Sequence, residues 1–401
     1  MRAARALVAV SLALVLTAEA AHAQRLTVYS SLPLTGATRP QALAIVQGAR
    51  LALEEAGGQA GPHAIRYVSL DDATARAGTW TPERTSRNAR RAAIDDTTIA
   101  YIGEFNSGAS AISIPILNET GIPQISPSNA AVGLTRSGPG SDLGEPEKYY
   151  PTGRRTYFRL APGDRVQGAA LAAVMRDRGC RRIAILHDGE VFGAGVAALV
   201  RRRALRLGLR VVRSSEIDPR TRTFRRLIRR VRGGRPGCVA FSGITANGAV
   251  RLFRALARGM PRAQLFGTDG LADFGFFDPR EGGVPRRVGR RISLTSYPLA
   301  PDAYPDAGRA VLDRYATRYD ERFPDPYALH GYEAMRLVLD GVAAVGPGRS
   351  ALIDWLRAVR DRPSVLGTYG FDRFGDATLR DYGLYRIRNR TLEWVDAVRA
   401  P

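Results

Sequence analysis

The stretch YIGEFNSGAS, residues Tyr101–Ser110, combines a short apolar strand, a turn of small and polar residues, and the start of a helical segment. A serine such as Ser107 and free backbone N–H groups at a helix N-terminus can together bind an anion. The same serine, or Asn106, can also cap the helix, and the two roles are compatible. A P-loop is excluded because no lysine follows the glycine. The turn therefore favours an anion site.

Catalysis by this turn is disfavoured by the residues around it. The turn is not a G-x-S-x-G sequence, which would present a nucleophilic serine. Of the four histidines, His22 lies in a leader segment and His63 lies in a polar turn. Neither His187 nor His330 has a motif that links it to Ser107. We predict that the protein is not an enzyme.

Outward from this turn, strands and helical segments alternate along the chain. The pattern starts with the strand RLTVYSSL and the periodic segment ALAIVQGARLALEEA, and it restarts after an irregular segment at 137–153. Such alternation predicts parallel sheets with helices on both faces, which is the α/β class. Two doubly wound units are the natural architecture.

Residues 1–23 have the features of a secretory leader. Arg2 and Arg5 give a positive start, Ala6–Thr17 is almost wholly apolar, and Ala21–Ala23 is a small-x-small cleavage signal. The alternative, a membrane anchor, is disfavoured because a spanning helix needs about 20 apolar residues. We predict cleavage after Ala23 and export to the periplasm.

The formal net charge of +21 is carried almost entirely by arginine. The segment Arg201–Arg235 contains 14 arginines against Glu216 and Asp218. An exported chain rarely meets nucleic acid, and aromatic residues do not interleave with these arginines, so we predict no nucleic-acid partner. Solvated helix faces are the favoured interpretation, and an anionic membrane surface or an acidic partner is the alternative.

The two cysteines, Cys180 and Cys238, each lie just upstream of an apolar strand. An oxidising compartment permits a disulfide, and neighbouring strands lie roughly 4.8 Å apart, within reach of one. The register weakens this prediction, because Cys180 lies three residues before its strand and Cys238 abuts its own. Two cysteines and four scattered histidines give no metal-site spacing, and we predict no metal and no cofactor.

Polar residues follow several other strands at the point where each strand ends. ISPSNAAVGLT lies near the opening turn, and the second unit contributes RLAPGD with Asp164, LHDGEVFG with Phe192, and FGTDG with Asp269. The carboxyl ends of parallel strands meet at one edge, where ligands bind. An anion site that faces two carboxylates suits a zwitterion such as a free amino acid. Alternatively, Asp164 caps a helix and Asp269 forms a turn.

Several stretches together carry a family resemblance, and in chain order they are SLPLTGA, QGARLALEEAGG, VSLDDAT, YIGEFNSGASAISIPILNETGIPQISPS, GLT, FRLAPGDRVQGAALA, RIAILHDGEVFGAGVA and YALHGYEAMRLVLDGV. With them the chain resembles the periplasmic substrate-binding proteins of the branched-chain amino acid (Leu/Ile/Val) type, which feed ABC importers. The resemblance covers nearly all of residues 25–395.

The resemblance implies the type I periplasmic-binding-protein fold, in which three segments cross between two α/β lobes. We expect the crossings near Phe158–Gly163, Ser296–Leu299 and Pro363–Gly367. Lobe 1 would then comprise residues 24–160 and 299–363, and lobe 2 would comprise residues 161–298 and 364–401. The insert Ser137–Pro151 is longer than a crossing needs, and the sequence offers no function for it.

The resemblance also implies roles for single residues. Ser107 and the backbone of Ser128, Asn129 and Ala130 would hold a ligand carboxylate, and Asp164 and Asp269 would hold its ammonium. An aromatic residue, usually tyrosine, corresponds to Phe192, and Tyr327 would help to close the pocket. The remaining pocket residues would be Phe105, Asn106, Ile244 and Thr245.

Two departures from the family's pattern bear on the ligand. Ala130 stands where a threonine is common, and Phe192 lacks the phenol. The pocket is also not the aliphatic cage expected for leucine, so we predict a small amino-acid-like ligand, with amides, urea or short peptides as rivals.

The partners that the resemblance implies are this ligand and an importer permease, with the receptor a monomer. A sensor or regulator of the same fold is the alternative. It is disfavoured because neither a transmembrane helix nor a helix-turn-helix is evident.

Overall fold

The computed structural model describes residues 25–399, so the predicted leader and its cleavage site lie outside the described residues. The strands are β1 (Leu26–Leu32), β2 (Gln59–Ala60), β3 (His63–Asp71), β4 (Ala73–Thr74), β5 (Thr79–Trp80), β6 (Thr98–Gly103), β7 (Gln124–Ser126), β8 (Tyr157–Arg159), β9 (Arg182–His187), β10 (Arg210–Glu216), β11 (Cys238–Ser242), β12 (Gln264–Gly267), β13 (Ile292–Ser296), β14 (Asp381–Arg388) and β15 (Thr391–Arg399). The helices are α1 (Arg39–Glu55), α2 (Pro82–Ala93), α3 (Ser107–Glu119), α4 (Asp164–Asp177), α5 (Val191–Arg206), α6 (Arg225–Gly233), α7 (Ala249–Gly259), α8 (Phe274–Phe277), α9 (Arg286–Gly289), α10 (Asp306–Tyr319), α11 (Tyr327–Val345) and α12 (Arg349–Ala358). No helix within residues 25–399 is long and apolar enough to cross a bilayer.

The strands form three sheets, of which the two large ones lie one in each lobe and the third is the short antiparallel pair β4-β5. The first has the order β2-β3-β1-β6-β7-β8, and the second has the order β10-β9-β11-β12-β13-β14-β15. Neighbours run parallel, except that β2 pairs antiparallel with β3, and β14 pairs antiparallel with β13 and β15. In each large sheet the strand order reverses next to the first strand of the lobe, which is β1 in the first and β9 in the second. Ligands of α/β proteins bind in the crevice that forms at such a point. The predicted α/β class with two doubly wound lobes is confirmed.

Helices α1 and α11 cross at very short range in the core of the first lobe. Gly48 lies against the carbonyl of Ala328, and Gly331 lies against the carbonyl of Ile45. A Cβ at either glycine would overlap that carbonyl, so only glycine allows the two backbones to approach this closely. This contact fixes α11, and with it Tyr327 at its first turn, against the sheet.

The third crossing lies later in the chain than the sequence predicted. The Phe371 ring packs on that of Phe158 with centroids 5.1 Å apart, and Asp376 bridges to Arg159 at the end of β8. The Arg159 Nε donates to the Asp376 carboxylate at 2.8 Å, and both side chains are buried. Residues 364–377, predicted to belong to the second lobe, are therefore held on the first, and the chain joins the second sheet at Asp381.

A disulfide joins Cys180 to Cys238, with the Cα atoms 5.9 Å apart. Strand β11 lies beside β9 with Cys238 opposite Ile183, which is the register that made the bond doubtful from sequence. Cys180 comes within reach because it ends the turn after α4, where its N–H donates to the carbonyl of Met175. The bond lies at the amino ends of the strands, away from the edge where a ligand would bind.

The insert Ser137–Pro151 starts in the first lobe and contacts the second. A Cβ on Gly195 of α5 would lie 2.9 Å from the carbonyl oxygen of Gly140. The insert is held in shape by Glu145, whose carboxylate accepts hydrogen bonds from the Tyr149 hydroxyl at 2.5 Å and the Asp142 N–H at 2.7 Å. The insert is therefore a folded segment that contacts both lobes.

Candidate functional site

The N-terminus of α3 forms the first-lobe side of the site. Ser107 is the first helical residue and is 4% exposed, and its Oγ accepts a hydrogen bond from the Ala131 N–H at 3.3 Å. The Asn106 Oδ1 is buried without a hydrogen-bond partner in the described part of the chain. The first N–H groups of a helix have no intrahelical acceptor. The free N–H groups and the Ser107 hydroxyl are donors that could receive an anion, and this role remains a prediction.

The loop after β7 supplies fewer free donors than predicted. The N–H groups of Ser128 and Asn129 both donate to the Ser126 Oγ, at 3.2 and 2.9 Å. Their side chains are also occupied, since each donates to the Phe105 carbonyl, at 2.9 and 2.8 Å. Among residues 25–399 the buried Ala130 N–H makes no hydrogen bond. The loop therefore positions Phe105 and offers one backbone donor, at Ala130.

Two carboxyl groups form the second-lobe side. Asp164 starts α4 and is 0% exposed, and neither of its oxygens accepts a hydrogen bond within the described chain. Burial raises the pKa of Asp164 well above its usual range, the nearby charge of Asp269 raises it further, and Arg159 opposes this. The Gln167 Nε2 donates to Asp269 at 2.6 Å, and burial raises the pKa of Asp269 to about 6. A ligand cation would give Asp164 the hydrogen-bond donor that it lacks and would give Asp269 a counter-charge.

Aromatic rings connect the two sides. The Tyr327 ring lies 5.3 Å from that of Phe105 and 5.6 Å from that of Tyr297. Burial, and then the charge of Asp269, raises the pKa of Tyr327 well above its usual range, so this first-lobe tyrosine lies close to the second-lobe acid. Asp269 acts on Tyr382 in the same way. The predicted site residues of the two lobes thus meet in one place.

Phe192 lies beside the turn that carries Asp269. A Cβ on Gly270 would lie 3.1 Å from the Phe192 ring and would overlap the carbonyl of Gly243. Only glycine fits there, so the turn can bring Asp269 up to the aromatic side chain. Phe192 is partly buried, which suits a pocket wall.

Ile244 and Thr245 hold the neighbouring turn rather than offering polar atoms to a ligand. The Ile244 N–H donates to the Asp188 carboxylate at 2.9 Å, and the Thr245 hydroxyl donates to Asp273 at 2.5 Å. Their contribution to a pocket would be shape.

Glu190 was missed by the sequence reasoning. Its Oε2 lies 3.6 Å from where a Cβ on Gly108 would be, so it faces the N-terminus of α3 across the cleft. The Asn247 Nδ2 donates to its Oε1 at 2.9 Å, and burial raises its pKa to about 7, with Asp188 contributing. The turn HDGEVFG was the available signal, but the family resemblance directed attention to Phe192.

A pair of buried acids lies under the α3 turn. Glu104 accepts a hydrogen bond from the Tyr101 hydroxyl at 2.8 Å, and its own N–H donates to the Ser110 Oγ. Burial raises the pKa of Glu104 to about 7, and burial together with Glu104 raises that of Asp72 well above its usual range. Because two adjacent buried carboxylates cannot easily both ionise, the pair holds a proton.

The ligand-free protein is expected to lose stability as the pH rises from about 4 to about 7. The pKa values of Asp269 and Glu104 are about 6 and 7 in the fold, and each is raised above the ordinary value. Such groups stabilise the fold while protonated, and this contribution is lost as the pH rises through the folded pKa. Thermal midpoints across this window measure the decline, and Glu104→Gln should flatten it. A midpoint that rises steadily instead would contradict the burial of these acids.

Within the described residues, no group of three or more His, Cys, Asp or Glu side chains could hold a metal ion. The site is thus built from a helix N-terminus, carboxyl groups and aromatic rings, which are suited to binding a small polar molecule.

Comparisons with known proteins show the family of the chain. A family described as periplasmic binding protein matches residues 30–391. A Pseudomonas aeruginosa protein named amino acid binding protein is 24% identical over 370 residues, which cover 91% of this chain and 88% of the relative.

Two solved structures share the fold. A leucine-binding protein from Thermotoga maritima has a TM-score of 0.78 at 19% identity, covering 93% of this chain and 99% of its own. A solute-binding protein from R. palustris in complex with benzoate has a TM-score of 0.73 at 21% identity, covering 94% of this chain and 97% of its own. At these identities the likeness shows the fold, and the ligand has to be argued from the site.

Proposed function

The chain belongs to the periplasmic binding protein family, and we propose that it captures a free amino acid between its two lobes for delivery to an ABC importer. Relatives and structural neighbours are substrate-binding proteins of ABC transport, and such proteins are not enzymes. The proposal adds the class of ligand, and with it a monomeric receptor that acts in the periplasm after cleavage behind Ala23.

The observation that carries the proposal is the pair Asp164 and Asp269 opposite the N-terminus of α3. In the described chain Asp164 is completely buried and accepts no hydrogen bond, which is costly unless a ligand supplies donors. The ammonium of an amino acid supplies them. Its carboxylate would reach the Ser107 hydroxyl and the Ala130 N–H on the other lobe.

Benzoate is the second candidate, because one structural neighbour binds it and the cleft has aromatic walls in Phe105 and Tyr327. A benzoate carboxylate could use the α3 N-terminus equally well. It would bring no donor to Asp164 and Asp269. The carboxyl groups therefore favour a zwitterion.

Closure of the lobes on the ligand would be the mechanism. The Gln41 Nε2 of the first lobe donates to the Ala272 carbonyl of the second at 2.7 Å, so contacts across the cleft exist beside the site. A ligand held by Ser107 on one lobe and Asp269 on the other stabilises the closed arrangement more than the open one. That difference in affinity is what drives hinge closure.

An amino acid should raise the thermal midpoint of the purified mature protein, since a ligand that binds only the folded state stabilises it. At about 100 times its Kd the gain is about 2.7 kcal/mol. A thermal-shift screen would include the common amino acids, benzoate, 4-hydroxybenzoate, urea and simple amides. A response to benzoates or amides with none to any amino acid would overturn the proposal. A sensor or regulator would bind the same ligand but would not support uptake when combined with the importer.

A further inference from the structure

Helices α6 and α7 of the second lobe form a groove with a row of arginines on each wall. Arg225, Arg229 and Arg232 recur on α6 at spacings of four and three residues, which places them on one face of the helix. Arg251, Arg254 and Arg258 do the same on α7, and all six line one groove of about 850 Å³.

Close packing of the two helices sets the floor of the groove. Gly259 lies directly against the Ile228 side chain, and a Cβ there would overlap it. Phe224 is 4% exposed and Ile228 is 6% exposed, so the floor is apolar and covered. The two walls therefore share a packed floor, and on the α7 wall Arg251 donates to the Pro219 carbonyl and Arg254 donates to the Gly283 carbonyl at 2.7 Å.

These arginines are not balanced by acids. No acidic side chain lines the groove, and none of the six forms an ion pair within residues 25–399. The contrast is α10, where Arg314 and Arg318 pair with Glu55 and Glu54 of α1 at 2.7 and 3.0 Å. Solvation by water explains a single exposed arginine. It does not explain two facing rows of arginines with no acidic side chain between them.

We propose that this groove binds the phosphate groups of an anionic phospholipid surface. The planar guanidinium fork matches phosphate oxygens, and several such forks on one face hold a charged surface through many weak contacts. Basic clusters are attracted to anionic bilayers in this way. The binding would keep the receptor close to the membrane that carries an importer.

Other polyanions fit the groove less well. Single-stranded nucleic acids are held by aromatic side chains on which bases stack, and the only aromatic residue that lines the groove, Phe224, is buried in its floor. An acidic protein partner would need exposed apolar or aromatic anchors at the centre of its interface. The groove offers no exposed aromatic side chain, and besides arginines its lining exposes Thr223 and, in part, Ala255 and Gly259.

Vesicle co-sedimentation tests the proposal with the full mature chain. Binding to phosphatidylcholine vesicles that contain phosphatidylglycerol should exceed binding to phosphatidylcholine alone by about tenfold or more, and high salt should abolish it. The triple variant Arg225→Gln, Arg229→Gln and Arg232→Gln should lose most of this binding.

The matched control removes the same charge from the first lobe. Arg84, Arg87 and Arg90 are exposed on α2, where no second row faces them, and their replacement by glutamine should change vesicle binding less than about twofold. Equal losses in both triple variants would show that net charge alone acts and would overturn the groove assignment. Absence of vesicle binding would overturn it too, as would stabilisation by inorganic phosphate without vesicle binding. Thermal midpoints of the ligand-free variants equal to that of the wild type confirm that both fold.

Discussion

Replacing Asp269 by asparagine is expected to weaken amino acid binding by roughly 10- to 150-fold, the loss of a hydrogen bond to a charged group. The new side chain keeps the size of the old one, and its carbonyl oxygen can still accept the hydrogen bond from Gln167. What it lacks is the negative charge that faces the ligand's ammonium. Isothermal titration calorimetry with the best ligand of the thermal screen measures the effect.

The control for this experiment is Asp177→Asn. It removes an exposed carboxylate at the C-terminal end of α4, the end opposite Asp164. It should leave affinity unchanged, because charges on the surface are screened. Wild-type affinity in Asp269→Asn would mean that the residue only forms its turn, and the ammonium site would then be wrong.

Stability separates a ligand-binding role from a structural one. Burial already raises the pKa of Asp269, so an ionised carboxylate there costs the ligand-free fold stability at high pH. Asp269→Asn should therefore be as stable as the wild type, or more stable, at pH 8, while it binds ligand poorly. A residue needed only for structure would show the opposite pattern.

Asp164→Asn is likewise expected to weaken ligand binding without destabilising the ligand-free protein. Neither Asp164 oxygen has a partner in the described chain, so the substitution removes no hydrogen bond that stabilises the free protein. Because the charges of Asp164 and Asp269 act on each other, the two substitutions should not be additive in a double-mutant cycle.

The convergence of Ser107, Asp164 and Asp269 could be predicted from the sequence, because it follows from topology. Each residue lies just past the carboxyl end of a parallel strand, or at the end of the first crossing, and such positions meet at a single edge. The alternation of strands and helices depends on local sequence patterns, so it too could be predicted. The roles of these residues toward a ligand remain predictions.

Contacts made by side chains across the cleft could not be predicted in this way. Glu190 faces Gly108 only because α5 and α3 point their N-termini at each other, and no spacing in the sequence encodes that. Similarly, the occupied N–H groups of Ser128 and Asn129 depend on where Ser126 directs its hydroxyl. Polar groups of a loop can satisfy each other or a ligand, and only the three-dimensional arrangement decides.

The contact of the insert with the second lobe and the position of the third crossing were missed for a related reason. Gly140 packs on α5 of the other lobe, and Asp376 packs on β8, more than 200 residues earlier in the chain. Contacts of such long range leave no periodicity in the segment itself. The contact of Asp376 with β8 includes an ion pair with Arg159, and we predict that loss of this ion pair strongly lowers stability.

Replacing Asp376 by asparagine is expected to destabilise the fold by about 3–5 kcal/mol, the range measured when a buried ion pair loses one partner. The Arg159 side chain is 1% exposed, and its other two nitrogens donate to the Ala131 carbonyl at 2.6 Å and the Thr135 hydroxyl at 2.9 Å. Asp376 also accepts from Arg136 at 2.8 Å. Its neutralisation would leave the buried Arg159 without the carboxylate that balances its charge.

Urea unfolding of the ligand-free protein measures this loss, with Asp354→Asn as the matched control. Asp354 pairs with Arg154 at 2.7 Å but is 67% exposed, so its loss should cost less than about 1 kcal/mol. A double variant, Arg159→Met with Asp376→Asn, should be more stable than Asp376→Asn alone, because no buried charge is then left unpaired. If Asp376→Asn costs no more than Asp354→Asn, then the ion pair does not hold the third crossing. Residues 364–377 would in that case be held on the first lobe by their other contacts, such as the Phe371 ring and the hydrogen bond from the Tyr369 hydroxyl to Glu333 at 2.8 Å.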